Sequence, residues 1–164
     1  MFCPSCGEKT FKEERQKKYQ CTACAFTFYW NVAAAVAVII RCQEQILFTI
    51  RAKEPGQGLL DLPGGFVEPQ ETLEDVARRE IREELGLELG NLRYLFSLPN
   101  LYPYRDVYYH TIDAFFETRL KQMPQIVTAD DVIGFKWKKL NDVPLDKVAL
   151  PSIKKCIKRL QDGS

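Results

Sequence analysis

Between Gly65 and Leu87 the sequence sets acids where an amphipathic helix would keep apolar residues. On a wheel of about 100° per residue, Leu73, Val76, Ala77, Ile81 and Leu85 share one face, with Asp75, Arg78, Arg79 and Arg82 roughly opposite. Glu80 and Glu84 fall inside the apolar arc, and Glu83 sits at its edge. A surface helix normally keeps its carboxylates on the polar face. Carboxylates at i, i+3 and i+4 that approach a core together repel and lose hydration unless cations compensate them. Clustered hard oxygen donors of this kind suit Mg²⁺ or Mn²⁺. The plainer reading of the segment is a solvated helix laced with pairs such as Arg79–Glu83.

The flanks agree with a helix that starts and stops where the pattern does. Thr72 followed by Asp75 is an N-cap pair. Gly86 can take the left-handed conformation that ends a helix. Upstream, Pro63-Gly64-Gly65 leaves a stretch of backbone without side chains, open to close approach by a phosphate or an ion.

The spacing resembles the signature of the Nudix hydrolases: Gly, five residues, Glu, seven residues, Arg-Glu-apolar, one residue, Glu-Glu, one residue, Gly-apolar. Each fixed position is present, as Gly65, Glu71, Arg79, Glu80, Ile81, Glu83, Glu84, Gly86 and Leu87. The match is far more specific than a lone glycine-rich motif. It implies that Glu80, Glu83 and Glu84 hold Mg²⁺ or Mn²⁺ together with the backbone carbonyl of Gly64. It also implies catalytic roles for Glu83, Glu84 and Arg79, with Glu71 orienting Arg79. Asp131, six residues before Trp137, matches a late-loop acid that joins the metal site; on its own it reads as a solvated turn residue.

The second strong signal is Cys3-Pro-Ser-Cys6 and Cys21-Thr-Ala-Cys24. Two C-x-x-C knuckles at this separation are compatible with a four-thiolate zinc site. Disulfides or redox pairs are the alternatives, disfavoured because no secretory signal is read and the chain resembles a cytoplasmic enzyme. A unit of about thirty residues also needs a metal to hold it together. Four thiolates close the site, so Zn²⁺ there is structural. Cys42 and Cys156 read as small buried hydrophobes.

The expected organisation is a zinc ribbon over 1–30 and an α/β domain over 31–164. Strands are expected at 31–41, 45–52, 92–98, 107–117 and 133–137, and helices at 72–85 and 151–161, with 59–62 leading into the Pro-Gly-Gly turn. The segment 99–106 is expected to be a connecting loop. Such interspersed elements suggest a sandwich of helices about a mixed sheet, the α/β/α fold that the resemblance also implies. With 46% hydrophobic and 27% charged residues the chain is an ordinary globule. Its net charge of +1 gives no electrostatic pull on nucleic acid or on an anionic membrane. The longest apolar run is far too short to span a bilayer.

A four-cysteine ribbon, an aromatic junction Phe28-Tyr29-Trp30 and then this domain resemble the NADH pyrophosphatase group. In that group a Ser-Gln-Pro-Trp-Pro-Phe-Pro-x-Ser element follows the box. Here Ser97, Pro99 and Pro103 fit it, while Leu98 and Asn100 stand where Gln and Trp are expected. The resemblance implies substrate contacts from Tyr29, Pro99, Asn100, Tyr102, Tyr104 and Arg105. The tyrosines 102, 104, 108 and 109 suit strand-edge packing as well as base stacking. His110 reads as a satisfied structural histidine.

The implied function is metal-dependent cleavage of the pyrophosphate in a nucleoside diphosphate linked to another moiety, such as NAD(H), ADP-ribose or an ADP-sugar. Two other classes remain: a nucleotide-sensing module, and an RNA-cap or nucleic-acid processing factor that uses the ribbon. The partners expected are a small nucleotide substrate and no membrane. Nucleic acid is disfavoured by the near-neutral charge, and a homodimer is compatible with the sequence. The location expected is the cytoplasm.

Overall fold

The structure is a computed structural model that describes residues 1–15, 17–129 and 132–163. It divides into two compact units, Met1–Val32 and Ala33–Ser164.

The N-terminal unit is a three-stranded antiparallel sheet of β1 (Phe11–Arg15), β2 (Lys18–Cys21) and β3 (Thr27–Tyr29). Its two knuckles share one geometry. Gly7 N–H donates to the Cys3 carbonyl and Ala25 N–H to the Cys21 carbonyl, both at 2.9 Å. Both closing residues have positive φ, 77° at Gly7 and 61° at Ala25. The four sulfurs lie within 4.8 Å of one another. Cys3–Cys24 and Cys6–Cys21 are separated by 3.8 and 3.7 Å. Those gaps are far beyond a disulfide bond of about 2.05 Å. They match the edges of about 3.8 Å in a tetrahedron with metal–sulfur distances of about 2.3 Å. The Thr10 hydroxyl lies 3.0 Å from Cys21 Sγ and holds that thiol down at about 6. Among the described residues, buried Cys3, Phe11 and Cys21 form the core of this unit, packed against Tyr19 and Phe26. So little apolar surface cannot order thirty residues without the cysteine cluster.

The second unit is built on a six-stranded mixed sheet: β4 (Ala33–Cys42), β5 (Gln45–Arg51), β6 (Leu60–Asp61), β7 (Arg93–Tyr104), β8 (Val107–Leu120) and β9 (Val132–Lys139). β4 runs parallel to β8 from Ala33–Thr111 to Cys42–Leu120. Because β4 is apolar almost throughout, alternate residues feed both faces. Ala37 and Ile39 join Phe48, Phe115 and the helix α2 (Pro151–Gln161) through Ile153, Cys156 and Ile157. Val36, Val38 and Ile40 join Leu47, Phe116 and the helix α1 (Leu73–Leu85) through Val76, Ala77, Ile81 and Leu85. The result is the expected sandwich, one helix on each face of a curled mixed sheet. Cys42 and Cys156 are fully buried. Burial pushes the Cys156 thiol up to about 12, so it behaves as a hydrophobe.

β4 and β5 stay paired only near their hairpin, at Arg41–Ile46 and Cys42–Gln45. Beyond it β5 diverges to pair with β6, while β9 runs along β5. The edge of β4 left open is filled by the segment 63–67. Val38 N–H donates to the Pro63 carbonyl and Val36 N–H to the Gly65 carbonyl, both at 2.9 Å, and Val67 N–H to the Ala34 carbonyl at 3.0 Å. This split in the sheet opens the cavity described below.

Two expectations need correction. Residues 99–104 are not a loop: β7 continues to Tyr104 and pairs with β8 up to Tyr104–Val107 across a two-residue turn. β7 is an edge strand, so Pro99 and Pro103 cost no ladder hydrogen bond on the open side. His110 is exposed on β8 rather than packed as a structural histidine. Among the described residues no helix is long and apolar enough to cross a membrane.

α1 begins and ends as its sequence requires. Asp75 N–H donates to Thr72 Oγ1 at 3.2 Å, and Thr72 N–H donates to Asp75 Oδ2 at 3.1 Å. Gly86, at φ 66°, closes the helix by donating to the Arg82 carbonyl. Thr72→Ala removes the capping box and should cost about 1 kcal/mol; the shift of the urea unfolding midpoint measures it.

Candidate active site

The glutamates of α1 face a cavity of about 520 Å³ whose lining includes Gly64, Gly65, Phe66, Glu68, Glu80, Glu83 and Glu84. That volume suits a nucleotide-sized ligand. The Gly64-Gly65 turn brings backbone and helix together without side chains between them. Gly64 has φ 148°, and a Cβ there would lie 2.1 Å from the Val36 carbonyl oxygen; at Gly65 it would lie 2.0 Å from Glu80 Oε1. Gly64 N–H donates to Glu84 Oε2 at 3.1 Å.

Arg79 organises the acids. Its Nε and Nη2 grip Glu71 at 2.6 and 2.9 Å, and its Nη1 reaches Glu80 at 2.8 Å and Glu83 at 3.2 Å. Nη2 also donates to the Phe66 carbonyl at 3.1 Å, tying the turn to the helix. The guanidinium beside Glu71 holds that carboxyl down at about 2. Arg79 itself is pushed up, chiefly by Glu71 and against its own burial. Glu80 is pushed up by burial, with Arg79 opposing and Glu83 and Glu71 adding repulsion. Glu84 is buried, with 8% of its surface exposed. At the C-terminus of α1, Ala129 N–H donates to the Glu84 carbonyl at 3.1 Å, docking the segment that leads into β9.

Glu71, Glu80 and Glu83 thus share one guanidinium. Among the described residues only the four cysteines have donor atoms gathered within 4.8 Å; the glutamate oxygens are held by Arg79 and by Gly64 N–H. Their hard oxygen chemistry and excess negative charge still fit a divalent cation that keeps part of its water.

The other end of the cavity is lined by Thr49, Arg51, Asp61, Asn100, Tyr102, Thr111 and Asp113. Arg51 Nη1 donates to Asp61 Oδ2 at 2.6 Å, and Arg51 Nη2 to Tyr102 Oη at 3.3 Å. Leu62 N–H donates to Asp61 Oδ1 at 2.9 Å. Asp113 accepts from Thr111 Oγ1 at 2.6 Å and from Ser152 Oγ at 2.5 Å. The Phe66 and Tyr102 rings meet edge to face at 5.6 Å.

The expected substrate residues separate. Asn100 and Tyr102 are two apart on β7, share its inner face and line the cavity. Pro99, Tyr104 and Arg105 are exposed and do not line it. Arg105 instead stands over the Tyr104 ring, 5.5 Å from its centroid. Tyr29 is exposed on β3 of the N-terminal unit. Asp131 lies outside the described residues.

Arg51, Asp61, Thr111 and Asp113 were not singled out from the sequence. A signal was present. Asp61 stands between Leu60 and Leu62 and Asp113 between Ile112 and Ala114, and a charge flanked by apolar residues needs a reason.

A Nudix-box helix, a two-glycine turn and a split sheet define one class of protein. Residues 30–160 match the NUDIX domain, and the chain belongs to that family. It is 35% identical over 102 residues to the NAD-capped RNA hydrolase NudC of Vibrio parahaemolyticus. That match covers 62% of this chain and 39% of the relative, so the chain spans well under half of the relative's length. Among solved structures, a NUDIX hydrolase from Nitrosomonas europaea shares the fold, with a TM-score of 0.74 at 23% identity, covering 98% of this chain and 90% of that one. So does the NUDIX domain of Shewanella oneidensis NrtR complexed with ADP ribose, with a TM-score of 0.67 at 20% identity, covering 82% and 90%.

Arg51 and Asp61 form a buried pair whose rupture has a pH signature. Burial raises the Asp61 pKa, with Arg51 opposing. Arg51→Met strands the carboxylate and should cost about 3–5 kcal/mol at neutral pH. A folded-state pKa above the unfolded value means the native state binds more protons, so stability falls as pH rises through it. The loss in the variant should therefore shrink as pH is lowered from 7 to 5, as read by urea unfolding at both values.

Proposed function

We propose that this protein is a metal-dependent pyrophosphohydrolase that cleaves a nucleoside diphosphate linked to another moiety, such as NAD(H), ADP-ribose or an ADP-sugar. The observation that carries the reading is the set of Arg79-anchored glutamates facing one end of a nucleotide-sized cavity. Divalent Mg²⁺ or Mn²⁺, when held by Glu80, Glu83, Glu84, Asp131 and the Gly64 carbonyl, would neutralise pyrophosphate charge and lower the pKa of a bound water.

The protein's own groups do the rest. Glu83 or Glu84 accepts the proton of the attacking water. Glu83 is the more open, with 47% of its side chain exposed, and can reach solvent; Glu84 is held against the Gly64 backbone. Arg79 fixes Glu80 and Glu83 and is itself oriented by Glu71. Asn100 and Tyr102 contact the nucleotide from the opposite wall. Pro99, Tyr104 and Arg105 flank that wall, and Tyr29 is assigned a substrate contact by the family resemblance.

We assign the cysteine cluster to Zn²⁺ in a structural ribbon over 1–30, with the hydrolase domain over 31–164. The sulfur spacings support this assignment.

A second reading is favoured by the printed name of the curated relatives, NAD-capped RNA hydrolase. The bond cut at such a cap is the same pyrophosphate. The ribbon's exposed Phe28, Tyr29 and Trp30 could stack on the adjoining strand. Turnover of NADH, NAD⁺, ADP-ribose and a NAD-capped RNA with Mg²⁺ and with Mn²⁺ separates the two. A kcat/KM for the capped RNA far above that for free NAD⁺ favours the second.

Glu83→Gln should lower kcat by orders of magnitude while the unfolding midpoint stays within about 0.5 kcal/mol of wild type, because Glu83 is half exposed. Near wild-type turnover at saturating Mg²⁺ contradicts the assignment. Cys21→Ser should abolish zinc binding and unfold the ribbon, since binding free energy is folding free energy in such units. Elemental analysis and circular dichroism measure both, and residues 33–164 should keep their cooperative transition.

A further inference from the structure

Away from the cavity, the far end of the sheet gathers arginines around one carboxylate. Glu117 stands two residues beyond Phe115 on β8, on the face that carries α2, and only 6% of its side chain is exposed. Strand register sets three arginines about it. Arg93 on β7 pairs with Glu117 itself, and Arg41 on β4 pairs with Arg119, two residues farther along β8. Arg93 Nη2 donates to Glu117 Oε2 at 2.6 Å, and Arg41 Nε donates to Oε1 at 2.5 Å. Arg119 Nη2 lies 3.8 Å from Oε1, an ion pair without a hydrogen bond. A fourth arginine, Arg159 of α2, stands over the Phe96 ring, and Phe96 pairs with Phe115.

The charges here do not balance. Burial raises the Glu117 pKa, but Arg93 and Arg41 outweigh it and hold the group below its ordinary value, so the carboxylate is ionised. One negative charge then faces three guanidiniums, which are always protonated. Among the described residues no other acid pairs with Arg41, Arg93 or Arg119. Arg41 and Arg119 are direct neighbours in the ladder, a like-charge placement that costs stability. The side chains of Arg93 and Arg119 are 70% and 69% exposed. Each guanidinium has five N–H donors in a fork that matches a phosphate, and most of them are unused. None of these residues lines the cavity. Asp113, which does, lies four residues back on β8, about 13 Å away at 3.3 Å per residue.

We propose that Arg41, Arg93 and Arg119 form a second anion site, separate from the cavity, that binds a phosphate or pyrophosphate group. Glu117 anchors Arg41 and Arg93, and the anion takes the donors left over on the exposed Arg93 and Arg119. The free anion and the phosphate of a mononucleotide offer the same chemistry to this site. The inference stands apart from the hydrolase reading.

The test is calorimetric titration of the zinc-loaded full chain with inorganic phosphate, pyrophosphate and AMP. No Mg²⁺ or Mn²⁺ is added, and ionic strength is fixed with chloride. Saturable binding of phosphate and tighter binding of pyrophosphate are expected. Arg119→Gln, which gives up no hydrogen bond to Glu117, should weaken both by about tenfold or more. The Arg93→Gln/Arg119→Gln double variant should abolish both, and urea unfolding checks that each variant is folded. AMP that displaces phosphate makes a nucleotide phosphate an accepted ligand; AMP that leaves phosphate bound assigns the site to the free anion. Absence of saturable phosphate and pyrophosphate binding overturns the proposal, as does binding of unchanged strength in Arg119→Gln.

Discussion

The site depends on three backbone hydrogen bonds between β4 and the segment 63–67. β4 would otherwise present a bare edge once β5 has diverged from it, and unpaired strand edges are costly when buried. Filling that edge with a turn rather than a strand holds the sheet open and sets the start of the chain that leads to α1. The approach is so close that a Cβ at Gly64 would run into the Val36 carbonyl, while one at Gly65 would displace the Glu80 carboxylate. Gly64 is therefore a packing requirement before it is anything chemical, and Gly65 leaves room for the Glu80 carboxylate. The same turn gives Gly64 N–H to Glu84 and the Phe66 carbonyl to Arg79.

Arg79 is the electrostatic counterpart of that turn. Glu80 and Glu84 occupy positions on α1 that packing alone would give to leucine, and Glu71 comes in from the loop before it. One guanidinium, held in a fork by Glu71, offsets part of this charge and fixes where the remainder points. The carboxylates stay arranged around the cavity. This is a strained electrostatic state that a divalent cation would relieve.

The cavity therefore has two chemically distinct ends. One has excess anionic charge on a helix, next to exposed backbone. The other is a buried layer of hydroxyls, an amide and two carboxylates, where Arg51 pairs with Asp61 and Ser152 of α2 donates a hydrogen bond to Asp113.

The box helix, its caps, the left-handed glycine and the four-cysteine cluster were legible in the sequence because each is local. Caps, knuckles and wheel positions depend on residues within a few positions of one another, as Thr72 with Asp75 and Cys3 with Gly7 show. Metal-ligand chemistry at such spacings survives any tertiary context. Of the inner wall, the sequence showed only Asn100 and Tyr102, through the family resemblance. Arg51, Asp61, Asn100 and Asp113 come from four strands, and only the divergence of β5 from β4 and the long β7–β8 hairpin bring them to one cavity. Two prolines made 99–104 read as a loop, since the sequence does not state that β7 is an edge strand, where a missing N–H costs nothing. Sequence alone determined which residues carry charge into the core and how α1 presents them. Tertiary structure decided which buried polar groups face them across the cavity, because strand pairing over long separations is set by the whole sheet.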